Sequence, residues 1–192
     1  MLRVSGGFMK RFVVVALLVA FAASAAAQTP GVNWSDIIQK GLAWIATNGG
    51  TDYRSVPVQF YVAVPPGQMA SYAVKLNAAG DASKVLALHS CSQHTMYLNA
   101  EYDFNKNFVY QGVLVHELVH HLQCENNMWT SDPCNKERQA YAVQAKFIRW
   151  SIDEDKARGV KLNDQQTAQL NQYLDELDHG GEKACAAIRS HF

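Results

Sequence analysis

An α+β domain with a helical C-terminal half is what this sequence predicts, and three features predict it. A strictly alternating apolar stretch and two short β-prone runs lie between residues 56 and 99. From about residue 107 onward the apolar residues recur at helical spacing over most of the chain. No internal repeat, low-complexity tract or linker divides it, so one domain is the economical reading. The 192 residues suffice for a sizeable core. With 48% apolar and 18% charged residues, and 17 basic against 17 acidic, the composition excludes a disordered chain and a nucleic-acid-coating protein.

The first 27 residues read as a signal peptide rather than as fold. Lys10 and Arg11 precede the apolar stretch Phe12 to Ala23, and Ser24-Ala25-Ala26-Ala27 supplies the small residues a signal peptidase reads, placing cleavage after Ala27. Met9 stands directly before Lys10, so Met1 and Met9 are both open as the start. The apolar run falls short of the ~20 residues a spanning helix needs, and no stable membrane insertion is expected after cleavage. The mature domain, residues 28–192, is expected to be secreted or periplasmic. Losing Arg3, Lys10 and Arg11 leaves it 14 basic against 17 acidic groups, a net charge of −3.

Within the mature chain, Asn33 can cap a helix with Asp36 three residues on. Trp34, Ile37, Ile38, Leu42, Trp44 and Ile45 carry its pattern until Asn48-Gly49-Gly50. Val56, Val58, Phe60, Val62 and Val64 alternate as in a half-buried strand that Pro65-Pro66-Gly67 ends, and Pro57 suggests an edge or strand start. Gln68 to Ala78 favours a helix, closed by Asn77-Ala78-Ala79-Gly80. Val85 to His89 and Thr95 to Asn99, separated by Ser90-Cys91-Ser92-Gln93, read as a hairpin. At the far end Leu170, Tyr173, Leu174 and Leu177 place a packing helix over Asn163 to Asp178, with Gly180-Gly181 as its stop.

The chemistry is concentrated in Val113-Leu114-Val115-His116-Glu117-Leu118-Val119-His120-His121-Leu122-Gln123, which contains His-Glu-x-x-His at 116 to 120. Residues four apart lie one turn above each other on a helix, so His116 and His120 can aim both imidazoles at one metal ion. Glu117, adjacent to that face, can reach a metal-bound water without ligating the metal. With 7 His in 192 residues, chance placement gives such a pattern about once in a hundred sequences. Apolar residues on every other face predict a helix through the core, where three ionisable groups are costly unless paired or metal-bound. Zn²⁺ suits imidazole nitrogen and an open three-ligand site.

A third His at metzincin spacing is absent, because Gln123 and Asn126 occupy the Gly and His positions of that pattern. Downstream, Lys136-Glu137-Arg138-Gln139-Ala140-Tyr141 begins a second helix after a reversal containing Pro133, and Glu137, Ala140, Tyr141 and Gln144 share one face. Over about Thr95 to Trp150 the chain resembles the gluzincin group of zinc metallopeptidases, which combine His-Glu-x-x-His with a glutamate on the following helix. The resemblance implies a small zincin-like domain. It makes His116, His120 and Glu137 ligands of Zn²⁺, Glu117 general base and proton shuttle, and a peptide or protein the substrate. By position, it also makes Thr95 to Asn99 the sheet edge along which substrate lies. Thermolysin-like members carry Asp where this chain has Tyr141, so Tyr141 is open between a catalytic or ligand-orienting hydrogen bond and simple packing. Glu125 and Asp132, in the reversal, are rival third ligands.

In an oxidising compartment Cys91, Cys124, Cys134 and Cys185 form two disulfides. Of the three possible pairings, the local Cys124–Cys134 bridge across the reversal is favoured, leaving Cys91 with Cys185. His121 is expected to face away from the ligand turn, and His89, His94, His179 and His191 to lie on the surface or in loops. Of these His94 borders the expected substrate strand. The sequence thus points to an exported zinc metallohydrolase, a peptidase first. A non-catalytic periplasmic zinc-binding or interaction protein is the alternative.

Overall fold

The computed structural model describes residues 33–76, 85–128 and 132–189; the signal segment, the Asn77 to Gly80 stop and His191 lie outside them. Its architecture is α+β, with six α-helices and a three-stranded mixed sheet among the described residues. Helix α1 spans Trp34–Trp44, and Asn33 caps it by accepting from the Asp36 amide at 3.2 Å. A π-helical turn, Ile45–Gly49, continues it to Gly50, whose left-handed backbone (φ 72°) ends it where expected. Then follow β1 (Phe60–Val64), α2 (Met69–Lys75), β2 (Ala87–Ser90) and β3 (Thr95–Asn99). Helices α3 (Phe108–Glu125), α4 (Pro133–Ala157), α5 (Asp164–Asp178) and α6 (Gly180–Arg189) complete the chain.

The sheet order is β1-β3-β2, with β1 parallel to β3 (Phe60↔Thr95 to Val64↔Asn99) and β2 antiparallel to it (Ala87↔Leu98 to Ser90↔Thr95). The hairpin is as expected, but Thr95 to Asn99 is the central strand and not an edge. Its burial explains the position, since Met96 and Leu98 are fully buried and need cover on both sides. The outer strands are β1 and β2. The alternating stretch from Val56 becomes a strand only at Phe60, and Phe60 and Val62 point outward at 60% and 37% exposure. Val56 and Val58 do pack on the core, from an irregular segment.

One apolar core, with Trp34, Ile38, Leu98, Phe104, Leu114, Leu118, Leu122 and Ile148 at its centre, runs between α1, the sheet, α3 and α4. Helix α3 lies through it as predicted. Its contact with α4 is close because Gly112 has no side chain: a Cβ there would stand 2.7 Å from Ile148 Cδ1. Pro133 is the first residue of α4 rather than part of the reversal, and Asp132 caps the helix by accepting from the Cys134 amide at 2.9 Å.

Gly180-Gly181 is not a helix stop. It opens α6, because a Cβ at Gly180 would meet the Tyr141 ring at 2.5 Å and one at Gly181 the Arg138 Cα at 2.6 Å. The two glycines let α6 lie directly on α4. The disulfides are Cys91–Cys124 and Cys134–Cys185, not the local pairing. Cys124, on the last turn of α3, meets the turn after β2; Cys134, on the first turn of α4, meets α6. Each of the two helices is stapled to an outer element, and closing loops of 33 and 51 residues stabilises by about 4 kcal/mol each. Two disulfides fit a chain that folds in an oxidising compartment. Among the described residues no helix is long and apolar enough to cross a membrane.

Candidate metal centre

Helix α3 starts where Asn107 accepts from the Val109 amide at 2.8 Å, and its register puts His116 and His120 one turn apart facing α4. Helix α4 brings Glu137 to the same point. His116 Nε2 lies 3.1 Å from His120 Nε2, and the Glu137 carboxylate oxygens lie 3.6 Å from His116 Nε2 and 3.4 Å from His120 Nε2. A tetrahedral ion with ligands at 2.0–2.1 Å has donor atoms about 3.3 Å apart, a spacing close to that between the two ring nitrogens and between each of them and one Glu137 oxygen. Among the described residues no fourth His, Cys, Asp or Glu joins this group, which leaves one coordination position for water or substrate.

The ring tautomers follow from the amides behind them. Gln123 Nε2 donates to the Lys136 carbonyl (3.1 Å) and to Gln139 Oε1 (3.1 Å), whose other donor is the Tyr53 hydroxyl. Gln123 Oε1 therefore faces His120 Nδ1 at 2.9 Å and must accept its proton. On the other side Gln144 Oε1 accepts from His116 Nδ1 at 3.1 Å, while Gln144 Nε2 donates to the Tyr173 hydroxyl at 3.2 Å. Both Nδ1 atoms are thus donors, and both Nε2 lone pairs point at each other. Two lone pairs 3.1 Å apart beside a carboxylate require a cation between them, a proton or a metal.

The electrostatics agree. Burial alone would lower the His120 pKa, but the hydrogen bond and charge of Glu137, with Glu117 behind, bring it up to about 9. Burial would raise Glu137, and the two imidazoles overcome it and hold the carboxylate ionised. Glu117 is different. Desolvation pushes its pKa up and the Glu137 charge adds to this, against the opposing imidazoles and the His89 amide, which donates to Glu117 Oε2 at 2.8 Å. Glu117 is thus a half-buried carboxyl whose proton affinity is raised beside two imidazoles.

Tyr141 packs its ring edge-on against His116 (centroids 4.6 Å) and against Gly180, so it shapes the wall of the site. Burial, then the charges of Glu137 and Glu117, raise its pKa and keep its hydroxyl protonated as a donor. Glu125 and Asp132 do not join the ligands: Glu125 pairs with His94 at 2.6 Å, and Asp132 is the α4 cap. His121 faces away as expected but is buried, with Nε2 donating to the Val56 carbonyl at 2.9 Å. Polar groups thus leave α3 on more than one face. His89 is not a loop residue: it lies on β2, half-buried, and packs against His121. His179 is exposed on its helix end as expected.

The sequence reading missed Gln123 and Gln144 as orienting groups, although Gln144 lies on the Glu137 face of α4. The chain belongs to the family described as a domain of unknown function (DUF6647), which matches residues 30–175. No curated protein and no solved structure matches it.

Proposed function

We propose that this chain is an exported zinc metallohydrolase, a peptidase of gluzincin type, with His116, His120 and Glu137 as ligands and Glu117 as general base. The observation that carries the reading is the 3.1–3.6 Å spacing among the donor groups of three residues from two helices, with Glu117 raised in pKa beside them. A Zn²⁺ ion held there supplies a Lewis acid for the scissile carbonyl and a water whose pKa falls toward ~7.

The chain's own residues do the rest. Gln123 and Gln144 hold each imidazole with Nε2 turned to the cation, which removes the reorganisation a free ring would need. Glu117, one residue from His116, takes the proton of the attacking water and returns it to the leaving amine, and the His89 amide holds its carboxylate in place for both transfers. Tyr141, whose ring packs against His116, is the candidate donor to the developing oxyanion.

Metal analysis by mass spectrometry on the mature chain, together with turnover of a fluorogenic peptide library, tests this. Wild type should hold one zinc per chain and cleave. Glu117→Gln should keep the zinc and lose about 10²–10⁴-fold in turnover. Retained stoichiometric zinc in Glu137→Ala would overturn the ligand assignment. Zinc without hydrolysis in wild type would favour a zinc-binding protein without catalysis.

A further inference from the structure

A second group of donors stands at the C-terminal end of α3. His94, Cys124 and Glu125 bring one ligand atom each within 4.8 Å of one another. His94 Nδ1 lies 2.6 Å from Glu125 Oε1, and Cys91, outside that group, is bonded to Cys124, so reduction would free its sulfur as a fourth donor next to the three. Two elements supply the set: the turn after β2 gives Cys91-x-x-His94, and the last turn of α3 gives Cys124-Glu125. His94 holds a left-handed backbone at φ 49°, which is uncommon for a residue with a Cβ and turns its ring toward α3. Two sulfurs, an imidazole and a carboxylate are a zinc-type donor set, but the disulfide removes both sulfurs from use while it is closed.

We propose that this corner is a latent metal site: when Cys91–Cys124 is reduced, the two thiolates, His94 Nδ1 and the Glu125 carboxylate bind one Zn²⁺ or a cation of like softness. The step balances. A dithiol supplies two electrons and two protons and leaves as its disulfide, or a phosphine supplies two electrons while one water gives the two protons and the oxygen of the phosphine oxide; either way both sulfurs become thiols. Zn²⁺ then displaces both thiol protons to solvent, and the ring proton that His94 Nδ1 directs at Glu125 moves to Nε2, which frees the Nδ1 lone pair for the metal. The donors must rearrange to meet one ion, since sulfurs on one zinc stand about 3.8 Å apart and the His94 and Glu125 donors need about 3.3 Å in place of 2.6 Å.

The other disulfide has no such surroundings. Cys134–Cys185 has the Arg138 guanidinium near Cys185 Sγ at 3.9 Å, and no group of metal donors forms there among the described residues. The consequence is that α3 stays clamped to the turn after β2 in either redox state, by a disulfide or by a metal. This inference does not depend on the hydrolase reading, because its donors are separate from His116, His120 and Glu137.

Cobalt(II) titration of the mature chain tests it, because thiolate ligands give a sulfur-to-cobalt charge-transfer band that a site of two imidazoles and a carboxylate cannot produce. The phosphine-reduced protein should show that band, saturating at one equivalent per chain, and the oxidised protein should not. The band should vanish in a Cys91→Ser, Cys124→Ser double variant, and His94→Ala should weaken cobalt binding by more than about tenfold. Circular dichroism checks that the double variant folds; if it does not, His94→Ala and Glu125→Gln, at a partly exposed corner, carry the test. Absence of the band after reduction, its persistence in a folded double cysteine variant, or an unchanged titration in both His94→Ala and Glu125→Gln would overturn the proposal.

Discussion

Two pairs of histidines meet around α3, and their surroundings shift one ring of each in opposite directions. In the His116/His120 pair every ring nitrogen faces a partner: a glutamine oxygen at each Nδ1, and the other ring with Glu137 at each Nε2. In the His89/His121 pair, with centroids 5.3 Å apart, His89 Nδ1, His89 Nε2 and His121 Nδ1 find no hydrogen-bond partner among the described residues. Burial pushes His89 down to about 3, and the neighbouring imidazoles add to it, whereas Glu137 carries His120 up to about 9 against burial. One residue type gives a neutral core ring in one place and a cation site in the other. The difference is a carboxylate within reach, since burial penalises the charged imidazole in both.

If that comparison is right, the largest effect comes from exchanging members between the pairs. His120→Ala should lose stoichiometric zinc and hydrolysis together, while His89→Leu keeps one zinc per chain, both read by mass spectrometry and peptide turnover. Zinc loss in His89→Leu alone would put the metal at the wrong pair.

A smaller effect isolates the orienting amides. Gln123→Leu and Gln144→Leu should each weaken zinc binding by about 10–100-fold, measured in competition with a chromophoric chelator, with the fold retained by circular dichroism. Affinity within twofold of wild type would mean that the Nδ1 contacts do not set the ligands.

The pH dependence follows from the charge states. In the metal-free protein His120 stays protonated up to about pH 9, so zinc must displace that proton. Affinity should therefore rise about tenfold per pH unit from 7 toward 9 and level off above, with about one proton released per zinc at pH 7. A flat profile in a calorimetric titration would sink the shared-proton picture.

The smallest effect belongs to His89. The folded-state pKa of His89, about 3, is below its ordinary value of 6.5, so between these the unfolded chain binds more protons. The stability is whole above pH 6.5 and lost as the pH falls toward 3. Going from pH 7 to 5 should cost wild type about 1 kcal/mol more than His89→Phe in urea unfolding, after allowing for the residual exposure of the ring.

How much of this was legible in the sequence depends on the range of the interaction. His116, Glu117 and His120 lie within one helical turn, so their spacing alone aligned them. Glu137 stands 17 residues beyond His120, and a known arrangement of two helices located it. Gln123 and Gln144 carry no such signal, because an amide becomes an orienting group only when its own N–H donors are committed elsewhere, here to the Lys136 carbonyl, Gln139 and Tyr173. His89 looked like a loop residue because β2 is only four residues long, too short for alternation to reveal its inward side. The cysteine pairing failed for a related reason. Nearness in sequence favoured Cys124 with Cys134, but the faces of α3 and α4 direct those sulfurs to different neighbours.

Periodicity and end signals alone were enough to set the helices before α6, the hairpin and the placing of His116 and His120 on one side of α3, because these depend on contacts within a few residues. The closing of α4 on α3 at Gly112, and with it the arrival of Glu137, the central place of β3 and the choice of disulfides, came only with tertiary packing. The reason is physical: which faces of two elements meet is decided by the summed burial of many side chains far apart in the chain, and no single stretch contains that sum.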